Sequence, residues 1–259
     1  MIGLEIAETI HFGGVFPLNN LCVAHRGYSS LAPENTAASI SLAMSFPYVQ
    51  WVEVDVQCSS DGIPFLIHDY TLGRTTNGRG DVKDTTWAEL RQLDAGSWKG
   101  KAYQNERLIS FDQFLDLICG RLQANIEIKT HNNLYPGIEV KVIEAIKKRQ
   151  MEHDVIFTSF DPDSLSRLKE LDPYIRTGLI IDSNPNDLLL QLQLLKCSFL
   201  SINYRHLNAA LVKNMRSAGI NIMAWTIDDK KTMQRISELD RDIMICTNEV
   251  ALWGEVFQT

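Results

Sequence analysis

Eight strand-like segments, alternating with helical ones, predict an α/β fold of the (β/α)8 TIM-barrel class. The strands centre near residues 22, 53, 126, 157, 179, 200, 223 and 245. Chemically active residues gather at the C-terminal ends of these strands, the end at which such barrels build their sites. A length of 259 residues with 45% hydrophobic content suits one large domain, and no Gly, Ser or Pro linker divides the chain. Residues 1–259 are therefore read as a single barrel domain. Residues 1–20 form an N-terminal arm closing its base, and a segment at about 70–110 is inserted after the second strand.

The arm, with Gly13-Gly14 and Pro17, shows no identifiable chemistry. Leu21–Ala24 is a short apolar strand that runs into His25-Arg26-Gly27. Pro33-Glu34-Asn35-Thr36 opens a helix whose packed face is Ile40, Leu42, Ala43 and Phe46. In the second strand, Trp51–Gln57, the valines 52, 54 and 56 take one face while Glu53 and Asp55 take the other, roughly 6.5 to 7 Å apart. Unpaired buried carboxylates cost several kcal/mol each, so this pair demands a cation.

The turn Ser59-Ser60-Asp61-Gly62 is too short for a parallel crossover. Pro64–Ile67 must then return antiparallel, outside the eight-strand count, delivering His68 and Asp69. The stretch from Tyr70 to Ser110 is rich in Gly, Thr, Asp and Trp, with a short helix at Thr86–Leu93. A better helix, Phe111–Cys119, follows. Strands are then expected at Ala124–Lys129, Val155–Ser159, Thr177–Ile181, Phe199–Ile202, Ile220–Thr226 and Ile243–Thr247. Helices fall between them at Ile138–Lys148, Pro162–Leu171, Pro185–Leu195, Ala209–Ala218 and Lys230–Leu239.

Read in order, the strand ends present His25 and Arg26, Glu53 and Asp55, His68 from the hairpin, Glu127 and Lys129, Ser159, Asn203, Trp225 and Asn248. Glu53, Asp55 and Glu127 offer oxygen ligands only, which suits one hard divalent cation, Mg²⁺ or Ca²⁺. Such an incomplete shell fits a phosphodiester, with Arg26 and Lys129 neutralising further charge and His25 and His68 as general acid and base. Trp225 would line the substrate pocket. Taken singly, each residue also suits an ordinary ion pair, a hydrogen-bonded histidine or a core tryptophan. Their convergence on one mouth favours a catalytic site.

The net charge of -7 argues against a nucleic-acid binder that works by phosphate neutralisation. Cys22, Cys58, Cys119, Cys197 and Cys246 lack metal-ligand spacing and read as reduced, largely buried thiols. The N-terminus carries Glu5 and Glu8 without a basic region, and no run reaches the roughly 20 apolar residues of a membrane span. A cytoplasmic setting is expected; oligomeric state is not legible.

The strings AHRGYSSLAPENT (24–36) and VEVDVQCSSDGIPFLIHDYTLGRTTNGRG (52–80) resemble the glycerophosphodiester phosphodiesterase family. The likeness continues through LRQLDAGSW (90–98), NIEIK (125–129), TSFDPDSL (158–165) and MAWTID (223–228), covering nearly the whole chain after the arm. It implies a barrel, a divalent metal on Glu53, Asp55 and Glu127, and acid and base catalysis by the histidines at 25 and 68. Arg26 matches a phosphate-contacting position, Lys129 a site position, and Glu34 and Asn35 a motif read here as ordering the loop. The implied reaction converts a small-molecule glycerophosphodiester and water to glycerol 3-phosphate and an alcohol.

Two other readings stand beside this one: a lysophospholipase D or sphingomyelinase-like lipid phosphodiesterase, and a barrel that binds phosphodiesters without turnover. One departure is visible. The family usually ends its last strand in Thr-Asp-x-Pro, whereas this chain has Thr247-Asn248-Glu249-Val250. The expected consequence is an altered pocket rim and leaving-group preference.

Overall fold

In the second strand, Val52, Val54 and Val56 are fully buried against surrounding helices, while Trp51, Glu53 and Asp55 are buried on the opposite side. A strand buried on both faces belongs to a sheet covered by helices without and closed on itself within. The computed structural model describes residues 20–258 and shows that closure. The parallel strands are β1 (Cys22–His25), β2 (Val49–Cys58), β4 (Gln123–Ile128), β5 (Val155–Ser159), β6 (Thr177–Ile181), β7 (Phe199–Asn203), β8 (Asn221–Trp225) and β9 (Met244–Thr247). They pair in sequence order, and β1 pairs with both β2 and β9 to complete an eight-stranded barrel. The short β3 (Pro64–Leu66) pairs antiparallel to the end of β2, outside the barrel as expected.

Two apolar layers hold this arrangement. The larger lies between the strands' outer faces and the helices and includes Ile40, Val54, Phe114, Ile126, Leu168 and Trp253. The smaller plugs the barrel interior with Val23, Trp51, Ile156, Phe199, Met223, Met244 and Cys246. The interior is thus filled below the mouth, and open space is confined to the strands' C-terminal ends.

The covering helices are α1 (Ala37–Met44), α3 (Phe111–Ile118), α4 (Ile138–Lys148), α5 (Pro162–Leu171), α6 (Leu188–Leu194), α7 (Ala209–Ser217), α8 (Lys230–Leu239) and α9 (Val250–Phe257); the single-turn α2 (Trp87–Leu90) belongs to the 70–110 segment. Several sequence-based boundaries shift. Helix α1 starts only at Ala37, because the Thr36 hydroxyl accepts from the Ser39 N–H as its N-cap, leaving Pro33, Glu34 and Asn35 in the preceding turn and Phe46 beyond the helix. Helix α6 begins three residues after Pro185, since 185–188 form a separate turn.

Helix α9 was not expected from the sequence. Gly254 in its middle lowers helix propensity, yet the structure requires it: a Cβ there would lie 2.4 Å from the Tyr48 hydroxyl. Residues 70–110 fold back over β3 with their own small core of Leu72, Val82, Leu90, Ala95 and Leu108 around Phe65 and Ile67. The expected role of the N-terminal arm concerns residues 1–19, outside the described residues. Of the five free cysteines four are buried and Cys119 is exposed.

Candidate active site

Parallel register assembles the site. His25 pairs with Glu53 across β1 and β2, and Asp55 pairs with Glu127 across β2 and β4. Adjacent strands lie about 4.8 Å apart, so residues in register on one face must interact. Oxygens of Glu53, Asp55 and Glu127 accordingly all fall within 4.8 Å of one another, and all three residues are buried.

Three carboxylates face two permanent cations. Lys129 Nζ lies 2.7 Å from Glu127 Oε1 and 3.2 Å from Asp55 Oδ1. Arg26 Nε lies 3.1 Å from Asp55 Oδ2, an ion pair without the alignment of a hydrogen bond. Burial alone would raise the Asp55 carboxyl, but Lys129 and Arg26 outweigh it and hold it well below the carboxylate range. At Glu53 burial prevails: with the charge of Asp55 it pushes the carboxyl well above the usual range, against the pull of Arg26 and Lys129. Burial lifts Glu127 to about 7, with Asp55 adding to the rise and Lys129 opposing it. A divalent cation among these oxygens would relieve that crowding, and an all-carboxylate donor set fits a hard ion.

The turn after β1 aims Arg26. Its φ of 55° and the φ of 80° at Gly27 reverse the chain at the barrel mouth. A side chain at Gly27 would also strike Ser39, 2.5 Å from its hydroxyl. Arg26 Nη1 then donates to Glu34 Oε1 at 2.9 Å, and Glu34 accepts two further bonds from Arg74. Asn35, also at positive φ, donates to Asp55 Oδ2 at 2.8 Å and accepts from the Asp55 N–H at 3.1 Å. Glu34 and Asn35 therefore order the loop by gripping two site residues.

His68 arrives from the hairpin. The buried Gln57 side-chain amide donates to the carbonyls of Ile67, His68 and Asp69, while the Tyr135 hydroxyl donates to Gln57 Oε1. His68 Nδ1 stands 2.7 Å from Asp69 Oδ1, and Arg74 holds the same carboxylate. Burial lowers the His68 pKa, with Asp55 and Asp69 acting against that shift. His25 lies deeper; burial and then Arg26 lower it to about 4.

Of the strand-end residues named from sequence, His25, Arg26, Glu53, His68, Glu127, Lys129 and Trp225 line one concave cleft at the barrel mouth. Ser159 and Asn203 do not line it. Their side chains serve the backbone, Ser159 donating to the Ile128 carbonyl and Asn203 accepting from the Arg205 N–H. The residue after Ser159 takes the inward position instead: Phe160 is 49% exposed, meets Trp225 edge-on, and lies beneath Lys129 Nζ at 5.9 Å. Sequence reasoning missed Phe160 because it follows the last residue of its strand. It also missed Cys246 in the cleft wall and the supporting Gln57 and Arg74; for Gln57 the inward register shared with Glu53 and Asp55 was an available signal.

The departure at the last strand reaches further than the rim. Asn248 Oδ1 sits 2.8 Å from His25 Nδ1, so the substituted position touches an expected catalytic residue directly. No helix among the described residues is long and apolar enough to cross a membrane.

Comparison with known proteins gives one consistent result. The profile of the family described as Glycerophosphoryl diester phosphodiesterase matches residues 25–251. A protein named glycerophosphodiester phosphodiesterase from Caldanaerobacter subterraneus subsp. tengcongensis is 37% identical over 232 residues, 88% of this chain and 94% of that one. A Bacillus subtilis protein of the same name is 31% identical over 234 residues, 83% of this chain and 79% of the other. Among solved structures, an Oleispira antarctica phosphodiesterase in complex with the product sn-glycerol-3-phosphate superposes with a TM-score of 0.87 at 32% identity. The match covers 92% of this chain and 96% of that one.

Proposed function

Because this chain belongs to the glycerophosphodiester phosphodiesterase family, we propose that it is an enzyme hydrolysing soluble glycerophosphodiesters to glycerol 3-phosphate and an alcohol. The observation that carries this reading is the constellation itself. Three carboxylate oxygens lie within 4.8 Å of one another on adjacent strands, flanked by two histidines, an arginine and a lysine at one barrel mouth.

Glu53, Asp55 and Glu127 would hold one divalent ion, Mg²⁺ or Ca²⁺. When bound, the ion supplies Lewis-acid charge neutralisation at the phosphate's non-bridging oxygens. Arg26 and Lys129 add fixed positive charge beside the same phosphate, Arg26 with its remaining forked donors and Lys129 as a point charge. Preorganised charges in a buried site stabilise the charge that develops in phosphoryl transfer.

The two histidines differ in ways that suit different roles. His25 is mostly buried, and its partner at Nδ1 is an uncharged amide, so its neutral form is favoured and Nε2 can take the proton of the attacking hydroxyl. His68 has a carboxylate at Nδ1, which supports the imidazolium needed to protonate the departing alkoxide. The phosphorus–oxygen bond to the alcohol breaks as the bond to the attacking oxygen forms, and one proton passes in at His25 and one out at His68. The attacker is water or the substrate's own glycerol hydroxyl, the second route giving a cyclic phosphate that water then opens.

Trp225 and Phe160 wall the opposite side of the cleft and bear on which alcohol is accepted. The test is a screen of metals against glycerophosphocholine, glycerophosphoethanolamine and lysophosphatidylcholine. Turnover of the soluble diesters with Mg²⁺ or Ca²⁺ supports the proposal. Preference for lysophosphatidylcholine would move it to a lipid phosphodiesterase, and tight binding without turnover to a binding barrel.

A further inference from the structure

We infer that Asn248, itself held by Asp228, is a positioning residue that fixes the tautomer of His25; this rests on the hydrolase reading above and deepens it. Asn248 is at the end of β9, and its side-chain amide stands between a carboxylate and an imidazole. Its Nδ2 is 2.7 Å from Asp228 Oδ2, and its Oδ1 is 2.8 Å from His25 Nδ1. A carboxylate only accepts, so the first contact must use the amide NH₂ group and leaves one orientation for the amide. The carbonyl oxygen of Asn248 therefore faces His25, and an acceptor there requires the proton of the neutral ring to sit on Nδ1.

The carboxylate that sets this orientation is itself fixed. Asp228 Oδ1 accepts from the Asn248 backbone N–H at 2.8 Å and from the Thr247 hydroxyl at 3.1 Å. The Ser29 hydroxyl lies 2.6 Å from Asn248 Oδ1 and 2.8 Å from the His25 carbonyl oxygen, tying both residues to the β1 turn. With Nδ1 protonated, the lone pair of His25 is on Nε2, the nitrogen 3.8 Å from Glu53 Oε2 at the metal-binding side of the cleft. The relay Asp228, Asn248, His25 thus presents a ready base without placing a second negative charge against the ring. Its counterpart at His68 is the Asp69 carboxylate, which leaves two histidines in one cleft with differently polarised Nδ1 partners.

The direct test is ¹⁵N NMR of histidine-labelled enzyme with Mg²⁺ bound, His25 being assigned by the signals absent from His25→Ala. The wild type is expected to show a protonated Nδ1 and an unprotonated Nε2 for His25. Asn248→Leu, which keeps bulk but loses the acceptor, is expected to mix the tautomers and lower kcat about 10- to 100-fold, part of the contribution a general base makes. KM should stay within about threefold, since ground-state contacts are untouched. Asn248→Asp alone sets two carboxylates face to face and should also lose activity. Adding Asp228→Asn to it reverses donor and acceptor, and should restore the Nδ1–H tautomer and bring kcat to within about tenfold of wild type.

A wild-type His25 protonated on Nε2 overturns the inference. So does an Asn248→Leu enzyme with unchanged tautomer and kcat, or a double variant no better than Asn248→Asp. Should Asn248→Leu fail to fold, the wild-type spectrum and the double variant decide. The expected tautomer in a protein that turns over no glycerophosphodiester would leave the positioning intact and refute the hydrolase reading.

Discussion

The two arcs of the barrel mouth are built from the same strand and helix repeat, yet they carry opposite chemistry. Among the described residues, strands β1, β2 and β4, with the hairpin between the last two, present every titratable acidic or basic side chain lining the cleft: His25, Arg26, Glu53, His68, Glu127 and Lys129. Strands β5 to β9 present Phe160, Ile180, Ser201, Met223, Trp225 and Cys246. Glu53, Asp55 and Glu127 stand in register on neighbouring strands about 4.8 Å apart, so the acids crowd onto one arc. The crowding then requires Arg26 and Lys129 beside them. The other arc is released from charge and forms a largely apolar wall.

This contrast orders the expected effects of substitution. Glu127→Gln keeps the shape of the charged arc but removes one of the three proposed metal-holding carboxylates. Its kcat/KM should fall on the order of 10³-fold, equivalent to several kcal/mol of lost transition-state stabilisation. Calorimetric titration with Mg²⁺ or Ca²⁺ should show weakened binding in the same variant. Full activity in Glu127→Gln would show that Glu127 holds no ion needed for turnover.

His68→Ala should lose about 10²- to 10⁴-fold in kcat with an unchanged circular dichroism spectrum. Near-full turnover would remove this histidine from the chemistry. In the opposite arc, Phe160→Ala removes a half-exposed ring that only walls the cleft. KM for a choline or ethanolamine diester should rise about tenfold, with kcat within about threefold, the pattern of lost uniform binding. A kcat loss as large as that of His68→Ala would show that the two arcs do not divide the labour.

Much of this was legible in the sequence because alternation on a strand is a rigid rule. Glu53 and Asp55 among valines fixed one face, and Asp-Gly in a short turn fixed the hairpin that returns His68. The expected strands match those observed to within a few residues, since each is an apolar run ended by polar residues. Helix α9 was hidden by Gly254, whose need comes from the ring of Tyr48, 206 residues earlier in the chain. The grips on the site were hidden for the same reason. Asn35 on Asp55, Gln57 on the His68 turn and Asn248 on His25 join segments up to 223 residues apart. Ser159 and Asn203 were misplaced because proximity to a strand end does not decide which way a side chain points.

The smallest expected effect lies at the rim of the charged arc. The Arg74 hydrogen bonds hold the Asp69 carboxyl down to about 2, with burial opposing them and His68 assisting. A carboxyl lowered on folding stabilises the folded state above its ordinary value near 4 and loses that contribution as pH falls towards 2. The thermal midpoint of wild type should therefore exceed that of Arg74→Ala at pH 5 and converge with it as the pH is lowered. A difference that stays constant over this range would assign the effect to packing.

Hydrolysis of a soluble glycerophosphodiester is proposed to depend on an oxygen-rich divalent site on β2 and β4, with His25 of β1 and His68 of the hairpin beside it. Release of sn-glycerol 3-phosphate from glycerophosphocholine, followed before chelation, after exhaustive chelation and after return of Mg²⁺ or Ca²⁺, tests it most directly. Turnover is expected to vanish with chelation, to return with the ion, and not to return in Glu53→Gln. Undiminished turnover by the fully chelated enzyme would contradict it.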